Sequence, residues 1–108
     1  MKEPDILAEI EYYSADYFTN KEYLSTEHSI RADHLIKDDY LTCGQHYYFE
    51  EKKIYPKQKY KAQINFISPE AYPHCLWIGK KIKIQRGSYV MGEAIVTEIY
   101  NPKLKRKS

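Results

Sequence analysis

Two cysteines and four histidines are the side chains of this chain best suited to nucleophilic or zinc chemistry. Cys43 and His46 are separated by a two-residue gap, and His74-Cys75 follow as an adjacent pair, so four soft or borderline ligands for zinc are present. Neighbouring residues of an extended chain point to opposite sides, so His74 and Cys75 converge only from a bent loop. The Cys-x-x-Cys knuckle of structural zinc sites is missing. Cys43, His46, His74 and Cys75 therefore stand as a candidate set only, and the expectation is buried free cysteine with loop histidines. A Cys–His nucleophile, from Cys43 or Cys75 with His28, His34, His46 or His74, has no local signature behind it.

The carboxylates Glu9/Glu11, Asp38/Asp39 and Glu50/Glu51 read as solvated strand edges and turns, because nothing places one of each pair in an apolar pocket. The glycines, Gly44, Gly79, Gly87 and Gly92, form no phosphate-cradling loop, and Gly79-Lys80-Lys81 lacks an upstream glycine and a following Ser or Thr. No catalytic residue, nucleotide site or cofactor is expected.

Cations interleaved with aromatic residues are the remaining chemistry. Lys57, Lys59 and Lys61 project from one predicted strand and Lys81 and Lys83 from another, with Arg86 in the hairpin beyond and Tyr89 close by. If the two strands are neighbours, five or six cations share one surface and contact several phosphates. The alternative is a solvated face whose lysines guard sheet edges. A tyrosine pair, Tyr47/Tyr48, is the candidate protein-contact patch among 12 tyrosines.

The elements that must position these groups are strands. Tyr60, Ala62, Ile64 and Phe66 alternate with Lys59, Lys61, Gln63 and Asn65. Ile82 and Ile84 alternate with Lys81, Lys83 and Gln85. Ile6, Ala8, Ile10 and Tyr12 alternate with Leu7, Glu9 and Glu11. Ala94–Tyr100 is β-branched and partly apolar on both faces, as a central or closing strand would be. Weaker strands are predicted around Ser29–Ile36 and His46–Glu50. Turns are expected at Thr42-Cys43-Gly44, Tyr55-Pro56, Ser68-Pro69, Tyr72-Pro73, Arg86-Gly87-Ser88 and Asn101-Pro102. Tyr17–Leu24 is the one helical possibility. About six short strands at this spacing imply an antiparallel sandwich or barrel.

At 108 residues the chain fits one domain. The expected division is a β-barrel over residues 1–101 and a basic, disordered tail over 102–108. Residues 1–54 hold six basic and twelve acidic side chains, and residues 55–108 hold eleven and three, so the net +2 is the sum of −6 and +8. Either the molecule has two differently charged faces, or the fold mixes the halves in space. No secretory signal, membrane span or disulfide framework is legible, which makes a cytoplasmic setting the expectation.

One stretch carries a family likeness. Ile82-Lys83-Ile84-Gln85-Arg86-Gly87-Ser88-Tyr89-Val90-Met91-Gly92-Glu93-Ala94-Ile95-Val96 resembles, without a gap, a stretch of the C-terminal (third) β-barrel of elongation factor Tu, and Gly87 and Gly92 fall on family glycines. Gly79 and Ser68-Pro69 match in kind, and Thr97-Glu98-Ile99 continues the closing strand. The likeness is closest over Leu76–Ile99. It implies a six-stranded antiparallel Greek-key barrel. In that family the barrel contacts the backbone of transfer RNA as well as protein partners, and the hairpin matching Arg86–Ser88 lies in the RNA-contacting region. Gly87 is the matching position, with Arg86 and Ser88 as its neighbours. Pro56 is followed by Lys57 where the family has glycine, so a rebuilt corner is expected there.

The expected function is a non-catalytic protein-binding module, a regulator or immunity-type protein on a translation-factor-like barrel, through surfaces such as Tyr47/Tyr48. The alternative is binding of tRNA or other RNA through Lys59, Lys61, Lys81, Lys83, Arg86, Gly87 and Ser88. An enzyme of unrecognised type is a distant third. No GTP-dependent delivery is expected, because no GTPase signature is legible in these residues, and no membrane partner is expected.

Overall fold

Alternation of apolar and polar side chains becomes eight strands in the computed structural model, which describes residues 3–16, 18, 22–27, 30–37 and 40–107. They are β1 (Ile6–Tyr12), β2 (Leu24–Ser25), β3 (Ile30–Lys37), β4 (Tyr40–Tyr48), β5 (Lys53–Ile54), β6 (Lys59–Phe66), β7 (Lys81–Arg86) and β8 (Tyr89–Ile99). Six of them close into an antiparallel barrel in the order β1-β6-β4-β3-β7-β8, with β8 returning to β1. Strands β3, β4 and β6 follow one another across the wall, and β1 lies beside β6, which is Greek-key connectivity. The all-β, six-stranded antiparallel barrel read from the sequence is the fold observed.

The alternation decides which side chains fill the barrel. Ile6, Ala8, Ile10 and Tyr12 of β1, Ala62, Ile64 and Phe66 of β6, Ile82 and Ile84 of β7, and Ala94 and Val96 of β8 are all buried. Closure pairs each strand of the wall with a neighbour on both sides, although β3 and β7 are in register over only three residue pairs.

The two ends are plugged differently. At one end Phe18 packs edge-on against Tyr12 with ring centroids 5.4 Å apart, and the short β2–β5 ribbon contributes the buried Ile54. At the other, a 3₁₀ turn (Pro69–Ala71) and the loop after it bring in Tyr72 and Leu76, both fully buried.

Three expectations change, and a fourth falls largely outside the described residues. The residues from 102 onward are not a loose tail as far as 107: Leu104 is fully buried, Leu76 N–H donates to Leu104 O at 2.9 Å, and Arg106 N–H donates to Leu76 O at 2.7 Å. One apolar side chain with a run of backbone bonds suffices to seat a segment that composition alone marks as basic and solvated. Thr42-Cys43-Gly44 is not a turn but the middle of β4, with Gly44 set opposite Phe66. Lys57 itself adopts a positive φ (64°), its N–H donating to Tyr12 O at 2.7 Å, so the turn after Pro56 forms without glycine. Within Tyr17–Leu24, residues 17 and 19–21 lie outside the described ones, and Leu24 begins a strand. Ser29, Asp38 and Asp39 also lie outside them.

Candidate functional site

Strand parity divides the candidate residues between the inside and the outside of the barrel. His34 (β3) and His46 (β4) point inward and are buried, whereas Cys43 projects outward from β4. His74 sits in the loop, where its Nδ1 lies 3.0 Å from Lys105 O, next to the half-buried Cys75. The four proposed zinc ligands are thus not brought together, and no cluster of three or more His, Cys, Asp or Glu able to hold a metal occurs among the described residues. Nor is His46 a loop histidine. Burial pushes the Cys75 thiol up despite the nearby Lys80, which keeps it protonated and weakly nucleophilic. His28 lies outside the described residues.

The histidines form an interior network in which His34 Nδ1 and the Tyr12 hydroxyl are buried without a partner among the described residues. Their Nε2 atoms are 2.7 Å apart, and His46 Nδ1 is 3.3 Å from Tyr48 Oη, with the Tyr12 hydroxyl beyond. Burial lowers the His34 pKa to about 4 and holds His46 well below its usual range, helped by His34 itself. Both rings are therefore neutral, one Nε2–H donating to the other ring's lone pair. Gly44 makes the space: a Cβ there would stand 2.7 Å from His34 Cε1. Burial likewise raises the Tyr12 hydroxyl to about 12 and Tyr48 well above its usual value. The tyrosine pair of the sequence reading is therefore split, Tyr47 facing out and Tyr48 into the barrel.

The cations are split too. β6 and β7 stand three places apart in a ring of six, on opposite sides of the barrel. Lys59 and Lys61 consequently share no surface with Lys81 and Lys83. Each group is interleaved with carboxylates. Lys59 and Lys61 pair in register with Glu11 and Glu9, and Lys83 with Glu93. Lys59 Nζ is 3.8 Å from Glu9, and Lys81 Nζ is 3.5 Å from Glu93. The acidic and basic halves of the chain are mixed in space on the β1–β6 face, whereas Glu93 comes from the basic half itself. Arg86, Gly87 and Ser88 form the β7–β8 hairpin as expected, Gly87 at φ 60°, at the opposite end of β7 from Lys81.

Two surface features remain, neither of which stood out in the sequence. The outward row of β4 is Leu41, Cys43, Gln45 and Tyr47, without a charge. Leu35 lies opposite Leu41 across β3, and Ile67, 64% exposed, continues the row past the end of β6, where its N–H donates to Cys43 O at 3.0 Å. A shallow groove of about 460 Å³ runs beside this row, lined by Arg31, Gln45, Tyr47 and Ile67 among others. Gln45 turns its amide oxygen toward Arg31, accepting from Nε at 2.8 Å and Nη2 at 2.9 Å, and its amide nitrogen donates to Tyr47 Oη at 2.9 Å. Reading β4 unbroken through Gly44 would have revealed this row. The second feature is a groove of about 620 Å³ beside β3 and β7, lined by Leu35, Lys37, Pro73, His74, Cys75, Trp77, Lys80, Lys81 and Lys83. No short-range pattern joins Lys37 to Trp77 or Lys81.

No helix of the described residues is long and apolar enough to cross a membrane. No protein-family model matches the chain, and no curated protein matches it.

Proposed function

We propose that this protein is a non-catalytic protein-binding module that docks through the outer face of β3, β4 and β6. The observation that carries this reading is the uncharged β4 row, Leu41, Cys43, Gln45 and Tyr47, extended by Leu35 and the exposed Ile67, in a chain of which 30% is charged. Interface centres are depleted in charge and enriched in Tyr, Met and Arg, with polar groups at the rim. The Arg31–Gln45–Tyr47 network meets that description, because its side chains are already held in place and lose little freedom on binding. The likeness of Leu76–Ile99 to a translation-factor barrel supports a regulator or immunity-type role, in which such a barrel occupies a surface that the factor would otherwise use.

The RNA alternative, in its five-cation form, draws no support from the layout, since β6 and β7 face opposite ways. The test compares affinity capture from native lysate by the wild-type chain and by Leu41→Lys/Ile67→Lys, with Lys59→Glu/Lys61→Glu as a control. A partner retained after ribonuclease and by the control, and lost from the Leu41/Ile67 variant, supports the docking face. Capture abolished by ribonuclease, or indifferent to Leu41 and Ile67, overturns it.

A further inference from the structure

The geometry points to a second binding site, for single-stranded RNA, in the basic groove beside β3 and β7. It is independent of the β4 docking face.

The groove is built from three segments distant in the chain. β3 and β7 pair with Leu35 opposite Lys83, so the outward lysines Lys37, Lys81 and Lys83 surround one apolar floor residue. The Pro73–Trp77 loop forms the wall. The C-terminal segment, seated by Leu104, brings the Arg106 guanidinium 4.8 Å from the Trp77 ring centroid. Lys80 organises the site from beneath. Its Nζ donates to Ile36 O at 2.5 Å and Cys75 O at 2.8 Å and lies 4.7 Å from the same ring, tying the wall to the end of β3. No acidic side chain is among the lining residues described.

Charge and shape together select the ligand. Lys81 keeps 61% of its side chain exposed while it pairs at 3.5 Å with Glu93, a side chain only 17% exposed that stands opposite Lys83 on β8. The exposed Lys81 ammonium can swing from this carboxylate to a phosphate on its long side chain. Lys81 and Lys83 lie two residues apart on one strand face, roughly 7 Å along it, which sets up a line of cations rather than a cage. A line of cations beside an exposed aromatic ring suits a strand whose phosphates run along the lysines and whose bases reach Trp77. Trp77 is 40% exposed, and the Arg106 side chain on its ring is itself exposed and free to swing to a phosphate. A compact anion would leave the indole unused, and a duplex cannot offer its stacked bases to it.

Trp77 is the chain's one tryptophan, so its fluorescence reports on this groove alone. Titration with an oligouridylate of about 15 nucleotides should change the Trp77 emission saturably. With three phosphates neutralised, log K should fall with log salt at a slope of about −2, roughly a twentyfold loss between about 50 and 200 mM salt. Lys37→Glu/Lys83→Glu should weaken binding more than tenfold with an unchanged melting temperature, and Lys37→Gln/Lys83→Gln should give a smaller loss in the same direction. Lys59→Glu/Lys61→Glu, which makes a comparable change in net charge on the far side of the barrel, should leave binding intact. The proposal is overturned by unchanged Trp77 emission at low salt, or by equal losses from the β6 variant. It also fails if tripolyphosphate competes as well as the oligonucleotide, or if duplex RNA binds as tightly.

Discussion

Gly92 and His34 show how single residues shape the barrel. Backbones of β8 and β1 approach so closely at Gly92 that a Cβ there would lie 2.3 Å from Glu11 O and 2.9 Å from Tyr12 Cα. Both atoms are backbone and cannot step aside, so Gly92→Ala should destabilise the fold by about 3 kcal/mol, read from urea unfolding. The sequence likeness singled out Gly92 as a glycine position; the structure assigns it to close strand approach. His34 gives a pH signature. Its folded pKa of about 4 lies below the unfolded value of about 6.5, so between these limits the unfolded chain binds the extra proton. Stability should therefore be full above pH about 6.5 and fall by about 3 kcal/mol as pH drops toward 4, with His46 adding to the loss in the same direction. Denaturant midpoints across this range would check it, and His34→Phe/His46→Leu should flatten the curve. A flat wild-type profile would contradict the buried neutral pair.

Among the elements, the C-terminal segment shows most clearly what composition conceals. Four cations in residues 103–107 marked it as a tail, whereas Leu104 is buried against the end of the barrel. Leu104→Ala should cost about 3 kcal/mol by opening a cavity, and should shift the Trp77 emission to the red as the loop wall loosens, since Arg106 and Leu76 are held by the same segment. Strand elements were far more legible. The parities of β1, β6 and β7 follow directly from their alternation: the inward residues named from it are buried except the half-buried Tyr60, while Asn65 and Gln85 of the polar set are buried as well. β4 was not legible, because Gly44 interrupts its pattern for a reason only the partner strand supplies: the His34 ring occupies the space of its missing side chain.

Across the whole molecule, chain order and spatial order disagree. β1 pairs with β6 and β8, whose partner residues stand more than forty positions away, so closure waits on long-range encounters. Refolding should accordingly take milliseconds to seconds rather than microseconds, observable by stopped-flow fluorescence of Trp77. The same reordering decides the surface. The acidic first half meets the basic second half across the wall as Glu9–Lys61 and Glu11–Lys59 neighbours, which removes the two-faced charge pattern on that face. It also gathers Lys37, Lys81 and Lys83 beside Trp77, residues no local pattern connects.

The sequence by itself determined the class of fold and which side of most strands faces inward. Those properties depend on the two-residue period of an extended chain and on local turn chemistry, both written in adjacent residues. Only the tertiary structure decided which strands are neighbours. That choice comes from closing the sheet and burying every apolar face at once. It separated Lys59 and Lys61 from Lys81 and Lys83, turned Tyr48 inward beside His46, and set the uncharged β4 row and the basic groove on the outside of the barrel.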